Sequence, residues 1–415
     1  MEDLLKAGAG RAELFFPAQY FPADGYSGIH DPLACRALLL EKGCLRGGIV
    51  VLELPSVRPW ELTDELRAHA AGCLDAPYEN VWLAVTHDLS APHVPQETDA
   101  RRLHMEALRA AVTTACRQAV ESAEEAVVRC AEGSSDVNAN RDMESRDGWW
   151  VGVHGKGPSD KDLTLLRFDS RHGRPIAVLY SYAVKSSVLE GAVMSDGKRY
   201  VSADITGRAS VKAEQALGCP VLFLMGAAGD QVPKQKASYL ELDGQGRFCP
   251  VELRERGYGI LETLSDTLAG DILAAAASAP ADADGQALRF CTASVACRGQ
   301  KTYSKALPAP PVLKYRYEPG EAQKLDLWAI RIGEAALLGV KPEITTPVFA
   351  ALKSSSPFSH TLLATLVNGG QGYIATDFDY EHFTYPGLNS PFQPGTDQIF
   401  VQQAQELLNR LCGSP

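Results

Sequence analysis

The stretch Val81-Trp82-Leu83-Ala84-Val85-Thr86-His87-Asp88 carries the clearest structural signal in the sequence. Its first five residues are continuously apolar, which indicates a strand buried on both faces. The strand ends abruptly at His87, and Pro92-His93 follows within a few residues. Because sites in α/β proteins gather at the carboxyl ends of strands, His87 is a candidate for chemistry. A solvated or helix-capping histidine in a loop is the structural alternative.

Other segments repeat this pattern along the chain. Buried strands are predicted at 48–54, 175–182, 220–225, 325–332, 335–340 and 361–367. Helical apolar spacing predicts helices at 60–74, 98–131, 206–216, 259–277, 345–354 and 396–412. The polar, Gly-rich and aromatic segment 134–157 is predicted to be a long functional loop, and 280–285 and 307–311 to be surface linkers. The alternation predicts the α/β class, with mixed sheets covered by helices.

Composition excludes several classes of protein. The chain has 415 residues, 45% hydrophobic and 22% charged, which is typical of a globular protein. A net charge of −11 argues against a nucleic-acid partner. No apolar run approaches the roughly 20 residues that cross a bilayer, so no membrane partner is expected. The segment Met1–Lys6 has no basic region leading into an apolar stretch, so we expect a cytoplasmic protein whose ten cysteines are free thiols.

Three more predicted strands end in polar residues. Lys185 follows the strand at 175–182, and Glu343 follows the one at 335–340, although Glu343 also suits the first turn of a helix. The loop Gly226–Gln231 follows the strand at 220–225, and its Asp230 is a candidate to orient a side chain or hold a metal. This loop lacks the spacing and the Lys-Ser/Thr pair of a phosphate loop, which argues against nucleotide binding.

Seven motifs occur in one order along the chain. They are Gly8–Glu13, Thr86–His93, Asn140-Arg141, Val201–Asp204 with Gly207, Gly226–Asp230, Pro342-Glu343, and Asn368–Tyr373 with Thr376 and Tyr380. Together they resemble the neutral (non-lysosomal) ceramidase family, especially its short bacterial members. The resemblance implies a single ceramidase-like catalytic domain over 1–415, with an internal division near 280–311 left open. It also implies that the immunoglobulin-like C-terminal domain of larger members is absent.

The family is a set of zinc-dependent amide hydrolases that hold the metal with two His, one Glu and one Tyr. The positions that match these ligands are His87, Lys185, Glu343 and Tyr373. The resemblance also assigns an active-site arginine to Arg141 and a second site tyrosine to Tyr385. Three positions depart from the family pattern: Lys185 replaces a histidine ligand, Leu89 replaces the other motif histidine, and Val232 replaces a serine taken as a catalytic group.

Lys185 makes the zinc cofactor uncertain, because a charged lysine cannot ligate a cation. Three explanations are open. Lys185 replaces the metal, pairs with Glu343 and polarises a carbonyl; or it is neutral and still ligates; or the metal has shifted and recruited Asp88, His93 or Asp204. A purely structural ion pair is the fourth alternative.

A retained metal would polarise an amide carbonyl and lower the pKa of bound water. Arg141 or Tyr385 would stabilise the tetrahedral oxyanion, Lys185 would take part in catalysis, and Asp88 would serve as the general base. Since Val232 stands in the serine position, attack by water or by an acceptor amine is expected rather than an acyl-serine. A hydrolase and an acyltransferase are therefore both compatible with the sequence.

Substrate binding is predicted for Trp149 and Trp150, together with Asp230 and His93. The two tryptophans lie close to Arg141 in sequence, so they are candidates to clamp an apolar group beside an anionic one; a hydrophobic lid is the alternative. A small soluble amide or acyl metabolite fits better than ceramide, because there is neither an export signal nor a basic amphipathic stretch. The alternative function is a degenerate member that binds a small ligand without hydrolysis. A homo-oligomer is left open.

Overall fold

The computed structural model describes residues 4–243, 245, 247–280, 287–303 and 311–413. Strands β1 to β21 span Lys6–Glu13, Tyr26–Ile29, Ala34–Lys42, Leu45–Leu52, Val81–Val85, Glu124–Ser134, Asn138–Ser145, Gly148–His154, Asp162–Ser170, Pro175–Tyr182, Arg199–Val201, Val221–Met225, Gln231–Pro233, Ser238–Leu242, Phe248–Glu252, Leu288–Gln300, Pro319–Ile332, Ala335–Val340, Glu343–Ile344, His360–Ala364 and Tyr373–Ile374. Helices α1 to α8 span Trp60–Leu74, Thr98–Glu121, Asp204–Leu217, Arg256–Ser278, Thr346–Ser355, Asp377–Glu381, Tyr385–Asn389 and Thr396–Cys412.

Two mixed sheets form the centre of the fold. One has the strand order β12-β10-β9-β6-β1-β3-β4-β5, and the other has the order β16-β17-β18-β20. In these sheets β10 and β12, β4 and β5, and β18 and β20 pair in parallel, whereas the other neighbours are antiparallel. The predicted α/β class with mixed sheets is confirmed.

The two sheets pack face to face. Along β3, Leu38 points into a core that it shares with Trp328 of the smaller sheet, whereas Leu39 points into a core shared with Leu108 of α2. The outer face of the smaller sheet packs on α5 and α8 through residues such as Leu407. Helices therefore cover one face of each sheet, and the other face is covered by the partner sheet. An apolar strand face has the same composition whether a helix or a second sheet packs on it. The sequence alone therefore does not show which of the two covers each face.

Helix α2 lies directly on β1 because two glycines leave room for it. A Cβ atom on Gly8 would collide with the carbonyl oxygen of Ala119 and would lie 2.8 Å from the Ala123 Cα. A Cβ atom on Gly10 would meet the carbonyl of Ala115 in the same way. The glycines of the motif Gly8–Glu13 thus serve close helix–strand packing.

We expect Gly8→Ala to lower the free energy of unfolding by about 1–3 kcal/mol, because the added methyl group must displace the α2 backbone. Gly72→Ala in α1 is the matched control, since its Cβ atom would meet no atom within 4 Å. The control is expected to be neutral or to stabilise the protein by up to about 1 kcal/mol through helix propensity. Urea unfolding measures both variants, and equal stabilities would contradict the packing argument.

Two predicted elements are corrected by the structure. The predicted helix 98–131 ends at Glu121, and Glu124–Ser134 forms β6, in which Ala126, Val128 and Cys130 alternate with more exposed residues and pair with β9. The predicted loop 134–157 is largely the antiparallel pair β7 and β8, joined by a tight turn in which Gly148 has φ +115°. Strands β6 and β8 both show the alternation of buried and more exposed residues that is typical of a strand.

Other sequence predictions have mixed outcomes. All ten cysteines are free, as predicted. No helix in the described part of the chain is long and apolar enough to cross a bilayer. Most of each predicted linker, 281–285 and 307–310, lies outside the described residues, and the single-domain organisation stays a prediction.

Candidate active site

The loops that follow β5 and β10 meet, although these strands lie near opposite ends of the large sheet's strand order. Asp88 and Ser186 form a parallel bridge, and the Leu89 N–H donates to the Ser186 carbonyl at 2.8 Å. His87 and Lys185 each immediately precede this bridge in their own loop. The contact between the loops therefore brings these two side chains to one place.

A short parallel sheet supplies two more polar residues. Strands β19 and β21 pair Glu343 with Tyr373 in register, and the Glu343 N–H donates to the Gly372 carbonyl at 2.8 Å. The Gly229 N–H donates to the Ile344 carbonyl at 2.9 Å and ties this sheet to the loop after β12. Glu343 is thus fixed by backbone pairing rather than by the start of α5, which begins three residues later.

Lys185, Glu343 and His87 form a charged group. The Lys185 Nζ lies 2.6 Å from Glu343 Oε2, and the two side chains are 2% and 7% exposed. The His87 Nε2 lies 3.5 Å from the other carboxylate oxygen, Oε1. Burial lowers the pKa of Lys185 to about 8, with a further lowering from Arg141 and an opposing effect of Glu343. Burial alone would raise the pKa of Glu343, but the positive charges around it hold that pKa below its ordinary value.

His87 is oriented by its own backbone and by Pro55. Its φ of +52° lies in the left-handed region, and its Nδ1 lies 3.0 Å from the Pro55 carbonyl oxygen. Because a carbonyl oxygen only accepts, we assign the ring proton to Nδ1, which leaves a lone pair on Nε2. Burial lowers the pKa of His87 and favours this neutral form. The free Nε2 is therefore placed to accept a proton, and Glu343 is placed to stabilise the imidazolium that results.

Arg141 completes the group from β7. Its side chain is buried, with Cζ 5.2 Å from the Tyr373 ring centroid and 4.9 Å from the Tyr385 centroid. Burial alone would lower the pKa of Arg141, but Tyr373, Asp142 and Glu343 outweigh it and raise that pKa. Its Nε and Nη2 have no hydrogen-bond partner among the described residues. We call His87, Arg141, Lys185, Glu343, Tyr373 and Tyr385 the polar cluster.

Asp230 holds the backbone next to the polar cluster through hydrogen bonds. Its Oδ1 accepts from the backbone N–H and the hydroxyl of Thr346, both at 2.9 Å, and its Oδ2 accepts from Asn140 Nδ2 at 3.4 Å. Its carbonyl accepts from the Arg141 N–H at 2.9 Å. Burial raises the pKa of Asp230 to about 6 against these donors. Asp230 therefore fixes the Arg141 backbone through its carbonyl, while its carboxylate oxygens are engaged by Thr346 and Asn140.

Three predicted site residues lie apart from the polar cluster. Asp88 is fully buried; its Oδ1 accepts from the Ser90 N–H at 2.9 Å, and burial followed by the charge of Asp204 raises its pKa. His93 has a side chain 60% exposed, with Nδ1 2.9 Å from Asp24 Oδ2. The carboxylate of Asp204 accepts from the Ser90 hydroxyl and from the N–H groups of Val188, Leu189 and Ile205. Asp204 thus organises the loop after β10.

Trp149 and Trp150 point to opposite faces of β8, as neighbours in a strand must. Trp149 makes an edge contact with Phe378 of α6, with 5.4 Å between the ring centroids. Trp150 makes one with Phe248 of β15, with 4.7 Å between the centroids. The two rings therefore do not form one clamp. Trp150 is buried and lines a cavity of about 400 Å³, to which Lys236 also contributes.

Glu190 was not predicted from the sequence, although it lies only five residues after Lys185. Its Oε2 is 2.6 Å from Lys236 Nζ, and its side chain is 28% exposed. Its charge contributes to the pKa values of Lys185 and His87. Glu190 therefore pairs with a lysine that lines the cavity, while its charge acts on two members of the polar cluster. An acidic residue shortly after a strand end is the signal that the sequence offers for it.

The zinc that the resemblance implies does not fit these side chains. The Lys185 ammonium contacts the Glu343 carboxylate at 2.6 Å, where a metal ion would need that oxygen. Within residues 4–243, 245, 247–280, 287–303 and 311–413, no group of three His, Cys, Asp or Glu side chains is arranged to hold a metal ion. A protonated lysine has no lone pair to replace the missing ligand. We therefore derive no step through a metal.

Solved structures that share this fold include two ceramidases. The neutral ceramidase from Pseudomonas aeruginosa aligns with a TM-score of 0.71 and 16% identity, covering 100% of this chain and 76% of that chain. A ceramidase complexed with C2 aligns with a TM-score of 0.74 and 16% identity, covering 99% of this chain and 75% of that one. The neutral-ceramidase fold predicted from the motifs is confirmed. No protein-family model matches the sequence, and no curated protein matches it.

Proposed function

We propose that this chain is an enzyme that cleaves, or forms by acyl transfer, an amide bond of a small molecule at the polar cluster. The observation that carries the proposal is the buried Arg141, whose Nε and Nη2 have no partner among the described side chains and backbone groups. Buried donors are costly unless something accepts from them. An oxyanion formed from an amide carbonyl is an acceptor that such preorganised donors stabilise. The fold supports this class of reaction, because the two solved structures compared above are ceramidases.

Each step has a residue suited to it. His87 Nε2 removes a proton from water, and the water oxygen attacks the amide carbon to give a tetrahedral oxyanion. Arg141 and the Lys185 ammonium stabilise that oxyanion, while Glu343 stabilises the imidazolium. The proton then passes from His87 to the amide nitrogen, and the C–N bond breaks to give an acid and an amine. If an amine replaces water, the same steps give a new amide.

The nucleophile is expected to come from solution. Val232, which stands in the position of the family's serine, is buried in β13 and has no hydroxyl group. Access is expected on the side of His87 and Glu190, whose side chains are 18% and 28% exposed. This supports direct attack by water or an amine over a covalent acyl-enzyme.

The cavity beside Glu190 favours a short acyl group. Its volume of about 400 Å³ is within the usual range for small-molecule sites. Its wall contains both apolar and charged side chains. The apolar ones include Met143, Trp150, Leu253 and Ile260, and the charged ones include Lys234 and Lys236. We propose a small soluble N-acyl compound as the substrate, with its acyl group in this cavity and its carbonyl at Arg141.

The proposal is tested with the purified chain and N-acyl amino acids of increasing acyl length, with mass spectrometry of the released amine. We expect turnover of short members, and a loss of about 100- to 1,000-fold in kcat/KM in His87→Gln, which removes the base. His360→Gln is the control. His360 begins β20, outside the polar cluster, and its Nδ1 lies 3.2 Å from Oε1 of Glu132 in β6. Unchanged turnover in His87→Gln would contradict the assigned role.

A binding protein without catalysis is the second candidate. It is favoured by the partly buried Leu89 and the buried Val232, two apolar residues in positions where the resemblance expects polar ones. In that case the same compounds would raise the melting temperature without releasing amine. That result would exclude the proposed reaction while leaving the polar cluster as a ligand site.

A further inference from the structure

One cation already occupies the centre of the polar cluster. The Lys185 Nζ lies 2.6 Å from Glu343 Oε2 and 5.4 Å from the Tyr373 ring centroid, and the same carboxylate faces His87 through its other oxygen. The lysine side chain is 2% exposed, so protein groups rather than water surround it. The three other residues that the resemblance assigns to a metal therefore converge on an ammonium group.

The charge around this point disfavours a second cation. Lys185 and Arg141 are both positive, and Glu343 is the carboxylate in direct contact with Lys185. Glu190, whose charge also acts on Lys185, forms its ion pair with Lys236 at 2.6 Å. A divalent ion would add repulsion from two buried cations in a region of low dielectric constant, where charges interact strongly.

We propose that the Lys185 ammonium is the resident cation of this site, held by Glu343, and that it takes the place of a metal ion. The exchange needs only one residue. A histidine is shorter than a lysine, but an imidazole plus a zinc–nitrogen bond of about 2.1 Å spans roughly the reach of an extended lysine side chain. A metal ligated by a histidine at position 185 would therefore lie near the present Nζ.

The Lys185→His variant should consequently gain a zinc site. Its new imidazole would join His87 Nε2 and a Glu343 carboxylate freed from its ion pair, and three protein ligands with an open fourth position form a common zinc geometry. This inference concerns the charge at the site and does not rest on the proposed reaction. Its readout is metal binding, so failure of the amide reaction would leave it standing.

The test is titration of wild type and Lys185→His with Zn²⁺ by calorimetry, with metal content measured after dialysis. We expect about one equivalent in the variant, bound at least about 100-fold more tightly than by wild type, and no stoichiometric zinc in wild type. Lys341→His is the matched control, because Lys341 also follows a strand and pairs with an acid, Asp326, at 3.5 Å. It is expected to behave like wild type.

Two results would overturn the proposal. One is a folded Lys185→His variant, with a wild-type circular dichroism spectrum, that gains no zinc. The other is one equivalent of zinc in wild type that is lost in Glu343→Gln. The wild-type titration decides the matter even if the histidine variant does not fold.

Discussion

Arg141→Lys is expected to lower kcat/KM by about 100-fold or more on any amide that the wild type cleaves, because one preorganised oxyanion donor contributes a factor of this size. The substitution keeps a positive charge but removes the planar fork of N–H groups. The Nε and Nη2 atoms of Arg141 have no hydrogen-bond partner among the described residues. The substitution is therefore expected to lower catalytic activity more than stability. Steady-state kinetics and a thermal melt together measure the two effects.

The control for this prediction is Arg208→Lys. Arg208 lies in α3, where it pairs with Asp31 at 2.9 Å and with Glu262, and its side chain is 24% exposed. It belongs to no part of the polar cluster, so kcat/KM is expected to stay within about twofold of wild type. If Arg141→Lys also retained this activity, Arg141 would not be the oxyanion donor.

Glu343→Gln is expected to lower the free energy of unfolding by about 3–5 kcal/mol, because it leaves the buried Lys185 ammonium without its counter-ion. Both side chains are almost fully buried, so solvent does not screen the loss. Arg141 adds repulsion at the same place. Urea unfolding followed by circular dichroism measures the change.

Two further variants show whether the loss of stability comes from the unpaired charge of Lys185. The double variant Lys185→Met/Glu343→Gln removes both charges and is expected to recover most of the lost stability, since an apolar replacement of a buried pair is often neutral. Glu318→Gln breaks an exposed ion pair with Lys301 and is expected to change stability by less than about 0.5 kcal/mol. A Glu343→Gln variant as stable as Glu318→Gln would show that Lys185 needs no counter-ion.

The fold was predictable where burial leaves a direct trace in the residue pattern. Val81–Val85 and Pro175–Tyr182 are apolar on both faces, and both are strands. The same pattern cannot reveal which layer covers a face, so the packing of the two sheets became clear only in three dimensions. The end of α2 was missed because alanines and valines in 122–131 satisfy a helical as well as a strand period.

Five of the six members of the polar cluster follow strands or lie in the quoted motifs, and only the resemblance pointed to Tyr385. The structure brings His87, Lys185 and Glu343 into contact, with Arg141 and the two tyrosines beside them. Asp204 could not be separated from the site by sequence, since its backbone donors come from positions 188, 189 and 205. The contact of Glu190 with Lys236 likewise depends on how the loop after β10 folds, which the sequence does not show.

The most direct test of the account measures amide turnover by the wild-type chain before and after exhaustive treatment with a metal chelator. If Lys185 is the resident cation and Arg141 stabilises the oxyanion, kcat/KM is the same in both samples and added Zn²⁺ does not raise it. Loss of turnover on chelation, with recovery on addition of one equivalent of Zn²⁺, would contradict the central claim that this site works without a metal.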